Sequence, residues 1–508
     1  MDSDARDASI GRPAQRGWPG RLFAIDPRSL AALRIALAVL LLLDLAARTR
    51  DFTALYTDEG VLPRGLLEDH LLPSALPLHL LSGEPVYQAL LFGLAAVFAV
   101  LLGLGCFTRL ATIASWALLL SLHSRAVLLI QFGDDALRLM LFWGMFLPLG
   151  RCWSLDARRA SRDPAEQRRP LLSVAGAALL IQVASLYLFT GLLKTGDDWL
   201  SGQAIAVVLQ YDWWARPFGH FLFETFPGAL GAGTWAVLVF EVLGALLLFS
   251  PFATRALRIF LVYLVWLFQF GLGFSIRLGL MPWISSAAMF PFLPSSWWDE
   301  FERLGARLAR RLGLEGAASE PAPVGAPARP RGAGQRARDA LVAALLLYVL
   351  ASNVAGLSER LQLPGPVGWV GDALRINQRW AMFAPQPPRD DGWFVIPGTL
   401  RNGAVVNLWW TGPELSWDKP AGLAEGHSTV AWSVWETRLK EKTFDQEEHL
   451  RFRRRYAEWQ CRQWNARHSG DQQVVSLELF FRHEVTTDDP DQPLYVLRKL
   501  LEYRCGEE

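Results

Sequence analysis

A lysine and two aspartates stand at the end of a long apolar run. The run "YLFTGLL" is followed by Lys194, and Asp197 and Asp198 come shortly after it. Ionisable groups are costly inside a membrane, so at this depth they usually face a bundle interior or a cavity. A lysine held in an apolar pocket loses hydration, which lowers its pKa, and the neutral amine can then remove a proton from a weak acid. For this chemistry Lys194 has to lie deeper than both aspartates and face the bundle.

A second charged group is predicted at the same face of the membrane. Asp134 and Asp135 precede the apolar run that contains Arg138. These residues could meet Lys194 and tune or orient it, together with Asp197 and Asp198. The alternative is structural: ion pairs also cluster in structural networks, and a lysine at a helix end can extend to the interface. The sequence leaves both interpretations open.

The composition indicates a polytopic membrane protein with a soluble portion. Of 508 residues, 52% are hydrophobic and only 19% are charged. The net charge of +1 makes no case for nucleic-acid binding. Four cysteines are too few for a disulfide scaffold, and they show no CxxC or Cys/His spacing, so no metal site is predicted.

Apolar runs of membrane-crossing length recur along the chain. A helix needs roughly 20 residues to cross the hydrocarbon core. We predict about nine spans, at 30–48, 87–106, 110–130, 136–150, 171–193, 234–251, 256–275, 280–297 and 340–357. The fourth of these is short, and prolines interrupt the eighth.

Basic residues predict the orientation of these spans. They concentrate in the N-terminal tail, in the loop 151–170 with six arginines against three acids, and in the segment 299–338. With nine spans all three segments lie on one side, which the positive-inside rule makes cytoplasmic. We therefore expect a multi-pass protein of the cell inner membrane with a cytoplasmic N-terminus and an extracytoplasmic C-terminal domain.

The predicted fold is an all-α polytopic membrane helix bundle of about nine spans with a C-terminal extramembrane α+β domain. In the C-terminal region, Asn402–Gly403 between two apolar runs predicts a hairpin, "QVVSLELFFRHEV" a strand and "TFDQEEHLRFRRRYAEWQCRQWNAR" a helix. The domains are a basic tail (1–28), a transmembrane domain (29–298), a basic helix with a Pro/Gly/Ala linker (299–338), a final transmembrane helix (339–358) and the extracytoplasmic domain (370–508). Whether Cys461 pairs with Cys505 is left open.

The order of three segments resembles a known family. They are "RIALAVLLLLDLAARTRDFTALYTDEGVLPR", "FGDDALRLMLFWGMFLPLGRCWSLD" and "YLFTGLLKTGDDWLSGQAIAVVLQ". This order resembles the HTTM (horizontally transferred transmembrane) superfamily, to which the membrane domain of vitamin K-dependent gamma-glutamyl carboxylase belongs. The resemblance covers most of residues 20–300.

The resemblance implies a role for Lys194. In the carboxylases, a lysine in a similar stretch deprotonates reduced vitamin K, and Lys194 occupies that position. A reduced quinone is then the implied cofactor or substrate. The carboxylases carry histidines where this chain has Asp134 or Asp135 and where it has Gln269, and neither a carboxylate nor an amide replaces a neutral imidazole. His123 and His220 are not obviously interior to the bundle. Glutamate carboxylation itself is therefore not expected.

Two classes of function follow from these observations. One is a membrane enzyme that uses Lys194 as a base on a quinol-type lipid or modifies a secreted peptide. The other is a non-catalytic scaffold, or an export or immunity factor, that presents its exterior domain to a partner. The lipid bilayer is a partner in both. The conformation of the turn "GLLKTGDDW" separates them, because a lysine that points to lipid or bulk water favours the scaffold.

Overall fold

The chain folds into a bundle of apolar helices and a C-terminal domain built on a β-sheet. The computed structural model describes residues 17–506 except 72–76, 162, 313–331, 359, 362, 410–411, 427–428, 441–445 and 486–493. Residues 1–16 of the predicted basic tail and the predicted linker over 313–331 lie outside the described residues.

The main helices of the bundle are, in chain order, α1 (Pro27–Thr49), α2 (Pro85–Leu104), α3 (Thr108–Arg125), α4 (Phe132–Gly144), α5 (Val174–Leu193), α6 (Pro227–Leu247), α7 (Thr254–Ser275), α8 (Met281–Ala288), α9 (Ser295–Arg311) and α10 (Ala333–Ala355). Helix α6 is π-helical over Phe240–Gly244. Shorter helices lie in the connections: Trp18–Phe23, Phe52–Tyr56, Leu155–Arg159, Pro164–Gln167, Asp197–Leu200, Ala204–Gln210, Pro217–Thr225, Gly365–Leu374 and Leu423–Gly426.

Within the described part of the chain, six helices are long and apolar enough to cross a membrane: α1, α2, α5, α6, α7 and α10. The predicted number of about nine is not confirmed. The predicted spans at 136–150 and 280–297 correspond to α4 with 13 residues and α8 with 8, whereas a crossing takes about 20. The predicted span at 110–130 corresponds to α3, which has 18 residues but begins and ends with polar or basic ones. Most residues of α4 and α8 are buried, so these helices pack inside the bundle.

Local sequence explains where several helices begin. The Asp26 carboxylate accepts a hydrogen bond from the Arg28 N–H at 2.8 Å, and Pro27 takes the first position of α1. The Ser173 hydroxyl accepts from the Gly176 N–H at 3.0 Å at the start of α5. Polar caps at the ends of apolar runs thus set the helix boundaries.

Parts of all three predicted basic segments meet at one end of the bundle. Arg28, at the start of α1, pairs with Asp299 in α9 at 2.8 Å. Arg168, in the loop after α4, pairs with Glu302 in α9 at 3.1 Å. Helix α9 carries an exposed row of apolar side chains (Phe301, Leu304, Leu308 and Leu312) beside its arginines, a pattern typical of helices that lie on a membrane surface.

The C-terminal domain contains a five-stranded antiparallel sheet and two helices. The strands are β1 (Asp390–Val395), β2 (Pro397–Leu400), β3 (Val405–Asn407), β4 (Val474–Val485) and β5 (Leu494–Arg504). Their order is β1-β4-β2-β3, with β5 paired to the other side of β4. Helices α11 (Val430–Lys440) and α12 (Gln446–Asn465) pack beside the sheet. The structure contains the predicted hairpin at Asn402–Gly403, and Cys461 forms a disulfide with Cys505.

This domain contacts the other end of the bundle. Arg455 in α12 donates to the carbonyls of Asp58 and Gly60, at 2.9 and 3.0 Å, in the loop that follows α1. The Gly196 N–H, in the turn that follows α5, donates to the Pro385 carbonyl at 2.9 Å. The turn that carries Lys194 therefore lies against the segment that leads into the sheet.

Candidate functional site

Lys194 lies directly after α5 and is buried. Its side-chain nitrogen Nζ donates to both carboxylate oxygens of Glu241, at 2.6 and 2.5 Å. Lys194 is 5% exposed and Glu241 4%. The Nζ atom also lies 4.4 Å from the centre of the Trp199 ring, a cation–π distance. Lys194 thus points into the bundle and away from lipid and bulk water.

Two local features bring Glu241 to this lysine. Glu241 lies in the π-helical segment of α6, where hydrogen bonds between residues five apart, instead of four, change the direction of the side chains. Opposite it, Gly191 has no side chain, and an added Cβ there would lie 3.1 Å from the Glu241 Cβ. Glycine at this position allows α5 and α6 to approach closely enough for the ion pair.

A second polar pair lies on the same face of α5. Tyr187 and Gly191, four residues apart, lie on one face of α5, and Lys194 follows at the end of the helix. The Gln269 amide in α7 donates to the Tyr187 hydroxyl at 3.3 Å. Among the described residues, the Gln269 oxygen Oε1 is buried with no hydrogen-bond partner. The face therefore offers an ammonium–carboxylate pair and a buried acceptor.

The two predicted aspartates after Lys194 have different surroundings. Asp197 is exposed. Asp198 is buried and pairs with Arg389 at 2.6 Å, in the segment that leads into β1. Asp198 therefore links the turn to the C-terminal domain, and Lys194 lies deeper than Asp197.

The other predicted charges form a separate cluster. Arg48 of α1 pairs with Asp44 at 2.8 Å and with Asp134 at 2.5 Å. Asp135 pairs with Arg138 at 2.5 Å. In the part of the chain that the structure describes, no hydrogen bond or ion pair joins this cluster to Lys194. The expected meeting of the two groups is thus not seen as a direct contact.

The cluster includes a histidine that the sequence did not place inside the bundle. His123 was not obviously interior from the sequence, but the structure buries it completely, with 0% of it exposed. Its Nδ1 accepts from Arg138 at 2.7 Å, because arginine only donates. Its Nε2 lies 3.5 Å from the Asp134 carboxylate. An imidazole from α3 therefore lies beside Asp134, one of the two aspartates that the resemblance compares with a histidine of the carboxylases.

The sequence analysis did not identify Glu241 as the partner of Lys194. The signal was its isolation: it is a lone acid in the run "TWAVLVFEVLGALLLF". An unpaired carboxylate there is costly, so a buried cation was required from another helix. The π-helical segment that aims it has no evident signature in the sequence.

A further carboxylate cluster lies in and beside the C-terminal domain. Oxygens of Asp212, Asp391 and Glu484 lie within 4.8 Å of one another, a spacing that could hold a metal ion. The Lys419 ammonium pairs with Glu484 at 2.5 Å and also with Asp212. Burial raises the pKa of Asp391 to about 7. A lysine thus supplies the positive charge in this cluster.

Together the fold and the buried charges define a polytopic membrane protein with an ion pair inside its helix bundle and an appended α+β domain. The model of the HTTM domain matches residues 23–297, more than half of the chain. The chain therefore belongs to the HTTM family. Comparison with curated proteins and with solved structures found no significant match.

Proposed function

We propose that this protein is a membrane enzyme in which the Lys194–Glu241 pair accepts a proton from a lipid-soluble weak acid. The single observation that carries the proposal is the burial of this pair beside a π-helical segment. Ionisable residues inside a membrane protein mark functional sites by default, and π-helical segments are frequent at such sites. The turn "GLLKTGDDW" points its lysine into the bundle, which is one of the two features that the enzyme requires.

The pair acts as one proton acceptor. In the resting pair the ammonium faces a carboxylate. When a substrate hydroxyl replaces one carboxylate contact, Lys194 passes a proton to Glu241 and takes the proton of the hydroxyl. The products are a substrate anion, an ammonium beside it and a neutral carboxyl group. The ammonium then stabilises the anion in a site of low dielectric constant.

A quinol-type lipid is the substrate that the HTTM resemblance implies. Its hydroxyl is a weak acid, and its apolar ring suits the aromatic side chains that surround the site. The unpartnered Oε1 of Gln269 offers an acceptor for a second hydroxyl. Lys194 and Glu241 are buried, so the substrate enters by displacing a covering side chain such as Trp199, whose ring centre lies 4.4 Å from the Lys194 Nζ. We do not propose glutamate carboxylation, since Gln269 and Asp134 or Asp135 stand where the carboxylases have histidines.

The proposal includes a location in the cell inner membrane. The contacts of α9 with the N-terminal segment and the loop after α4 support a common cytoplasmic side for the basic segments. The Cys461–Cys505 disulfide supports an exterior C-terminal domain, because disulfides persist in oxidising compartments.

The experiment is mass spectrometry of lipids extracted from purified full-length protein. The parent is compared with Lys194→Met, with Glu241→Gln and with Lys499→Met, a control at an exposed lysine of β5. We expect a quinone-type lipid with the parent and the control and much less with the two site variants. Equal lipid content in all four proteins, each shown to be folded, would refute the proposal.

A second candidate is a membrane scaffold. The observation that favours it is that Glu241 already satisfies the Lys194 ammonium, so the pair could serve only to hold α5 against α6. The protein would then present its C-terminal domain to a partner. If a stable variant that lacks both charges retains the same bound lipid as the parent, the scaffold is favoured.

A further inference from the structure

A large cavity lies between the end of α1 and the C-terminal domain. Its volume is about 560 Å³, and its lining includes residues 49–54, the segment around Trp409, and parts of α11 and α12. Volumes of roughly 300–1,000 Å³ are typical of small-molecule sites. Residues 49–54 directly follow a membrane helix, so the cavity lies near the level of the lipid headgroups.

A buried carboxylate lines this cavity. Glu436 is 0% exposed. Its Oε1 accepts hydrogen bonds from the indole N–H groups of Trp409 and Trp432, at 3.1 and 3.2 Å, and from the Tyr456 hydroxyl at 2.9 Å. All four residues line the cavity. The three donors fix the position of a group that is costly to bury, which indicates a carboxylate built into the site.

Aromatic rings accompany the carboxylate. The Trp432 and Trp459 ring centres lie 5.1 Å apart, and Tyr456 stacks on Trp459 at 6.5 Å. Phe52, at the start of the short helix that follows α1, adds a further ring. Aromatic faces attract cations, and clusters of them recognise quaternary ammonium groups. Aromatic rings with a buried carboxylate therefore favour a ligand with a positively charged nitrogen.

The remaining charged residues of the lining are Arg50, Asp51 and Arg467. Asp51 is buried and hydrogen-bonded by Thr429, whereas both arginines are exposed. Exposed arginines that also line the cavity suit a phosphate beside the ammonium. The lining thus complements both charges of a zwitterionic headgroup: the carboxylate and the aromatic rings suit the ammonium, and the arginines suit the phosphate.

We propose that this cavity binds the ammonium–phosphate headgroup of a zwitterionic phospholipid such as phosphatidylethanolamine. Glu436 and the aromatic rings contact the ammonium, and Arg50 and Arg467 contact the phosphate. The site is separate from Lys194, so this proposal does not depend on the proposed enzyme activity. The same chemical group occurs free in phosphoethanolamine, which the test has to distinguish from the lipid.

The protonation state of Glu436 should make this binding depend on pH. Burial raises the pKa of Glu436 to about 7, against the effect of its three hydrogen bonds. A bound cation favours the ionised carboxylate, so the ammonium should bind more tightly as the pH rises through this value. The other titratable groups that line the cavity are Asp51, Arg50, Arg467 and Tyr456, and burial raises the pKa of Tyr456 well above its ordinary value.

The test uses full-length protein in a maltoside detergent and native mass spectrometry. The probes are phosphatidylethanolamine and phosphatidylglycerol with identical acyl chains, and free phosphoethanolamine is added as a competitor. The variants are Glu436→Gln, Trp459→Leu and the control Glu478→Gln, a half-exposed acid on β4 paired with Lys499. Circular dichroism checks that each variant folds.

We expect the parent and the control to prefer phosphatidylethanolamine by about tenfold. Glu436→Gln and Trp459→Leu should lose that preference, and only proteins with Glu436 should show the increase with pH. If Glu436→Gln fails to fold, Trp459→Leu and the pH series of the parent decide the question. Equal binding of both lipids to the parent overturns the proposal. Equally strong binding of free phosphoethanolamine overturns its assignment to a lipid.

Discussion

Removal of one partner of the Lys194–Glu241 pair should destabilise the protein far more than removal of both. The lysine Nζ lies 2.6 and 2.5 Å from the two carboxylate oxygens, and the side chains are 3% and 5% exposed. Lys194→Met leaves the carboxylate buried without its counter-ion, and Glu241→Leu does the same to the ammonium. Breaking one side of a buried pair costs about 3–5 kcal/mol, so each single variant should lose about that much stability.

The double variant Lys194→Met with Glu241→Leu removes both charges and keeps apolar volume at both positions. Replacement of a buried ion pair by hydrophobic residues is often neutral or stabilising. We therefore expect the double variant to be as stable as the parent within about 1 kcal/mol, which gives a coupling energy of about 5 kcal/mol or more. Denaturation in mixed micelles, followed by circular dichroism, measures the stability of the parent, the two single variants and the double variant.

Lys499→Met is the matched control. It removes a lysine that pairs with Glu478 and Glu502 at an exposed position, where ion pairs contribute little. Single variants at Lys194 and Glu241 that are as stable as this control would show that the pair is not buried as described. A double variant that loses the sum of the single losses would show that the two charges do not interact.

Three further predictions concern other parts of the molecule. Burial raises the pKa of Glu436 from near 4.5 to about 7, so the folded state keeps a proton that the unfolded chain releases, and stability falls as the pH rises through this window. Glu436→Gln should remove up to about 3 kcal/mol of this pH-dependent loss of stability. Denaturation of the parent and the variant at a series of pH values tests this, and an equal dependence of stability on pH in both proteins would contradict it. Reduction of the Cys461–Cys505 bridge, which closes a separation of 44 residues, should lower stability by about 3–4 kcal/mol in denaturation with and without reductant; an unchanged midpoint would count against it. Gly191→Ala would place a Cβ 2.7 Å from a side chain of α6, so it should cost about 1–3 kcal/mol, whereas Gly228→Ala, with open space around it, should cost nothing in the same assay.

Much of the architecture could be predicted because it depends on local patterns. Length and hydrophobicity identified the six helices that can cross a membrane, since the thickness of the hydrocarbon core imposes a minimum length. The Asn402–Gly403 hairpin and the strand at β4 followed from turn chemistry and alternation. The number of about nine spans was not confirmed, because short buried helices such as α4 are as apolar as crossing helices.

Only one member of the buried ion pair, Lys194, could be predicted as a site residue from the sequence. The sequence by itself identified Lys194 as a charge at the end of an apolar run and the HTTM family as its context. It could not pair Lys194 with Glu241, which lies 47 residues away, because that pairing depends on the close approach of two helices at Gly191 and on a π-helical segment. Nor could it place His123 beside Asp134, since the two lie on different helices. Which charges meet inside this bundle was decided by the tertiary structure alone, because helix packing sets the distances over which buried charges interact.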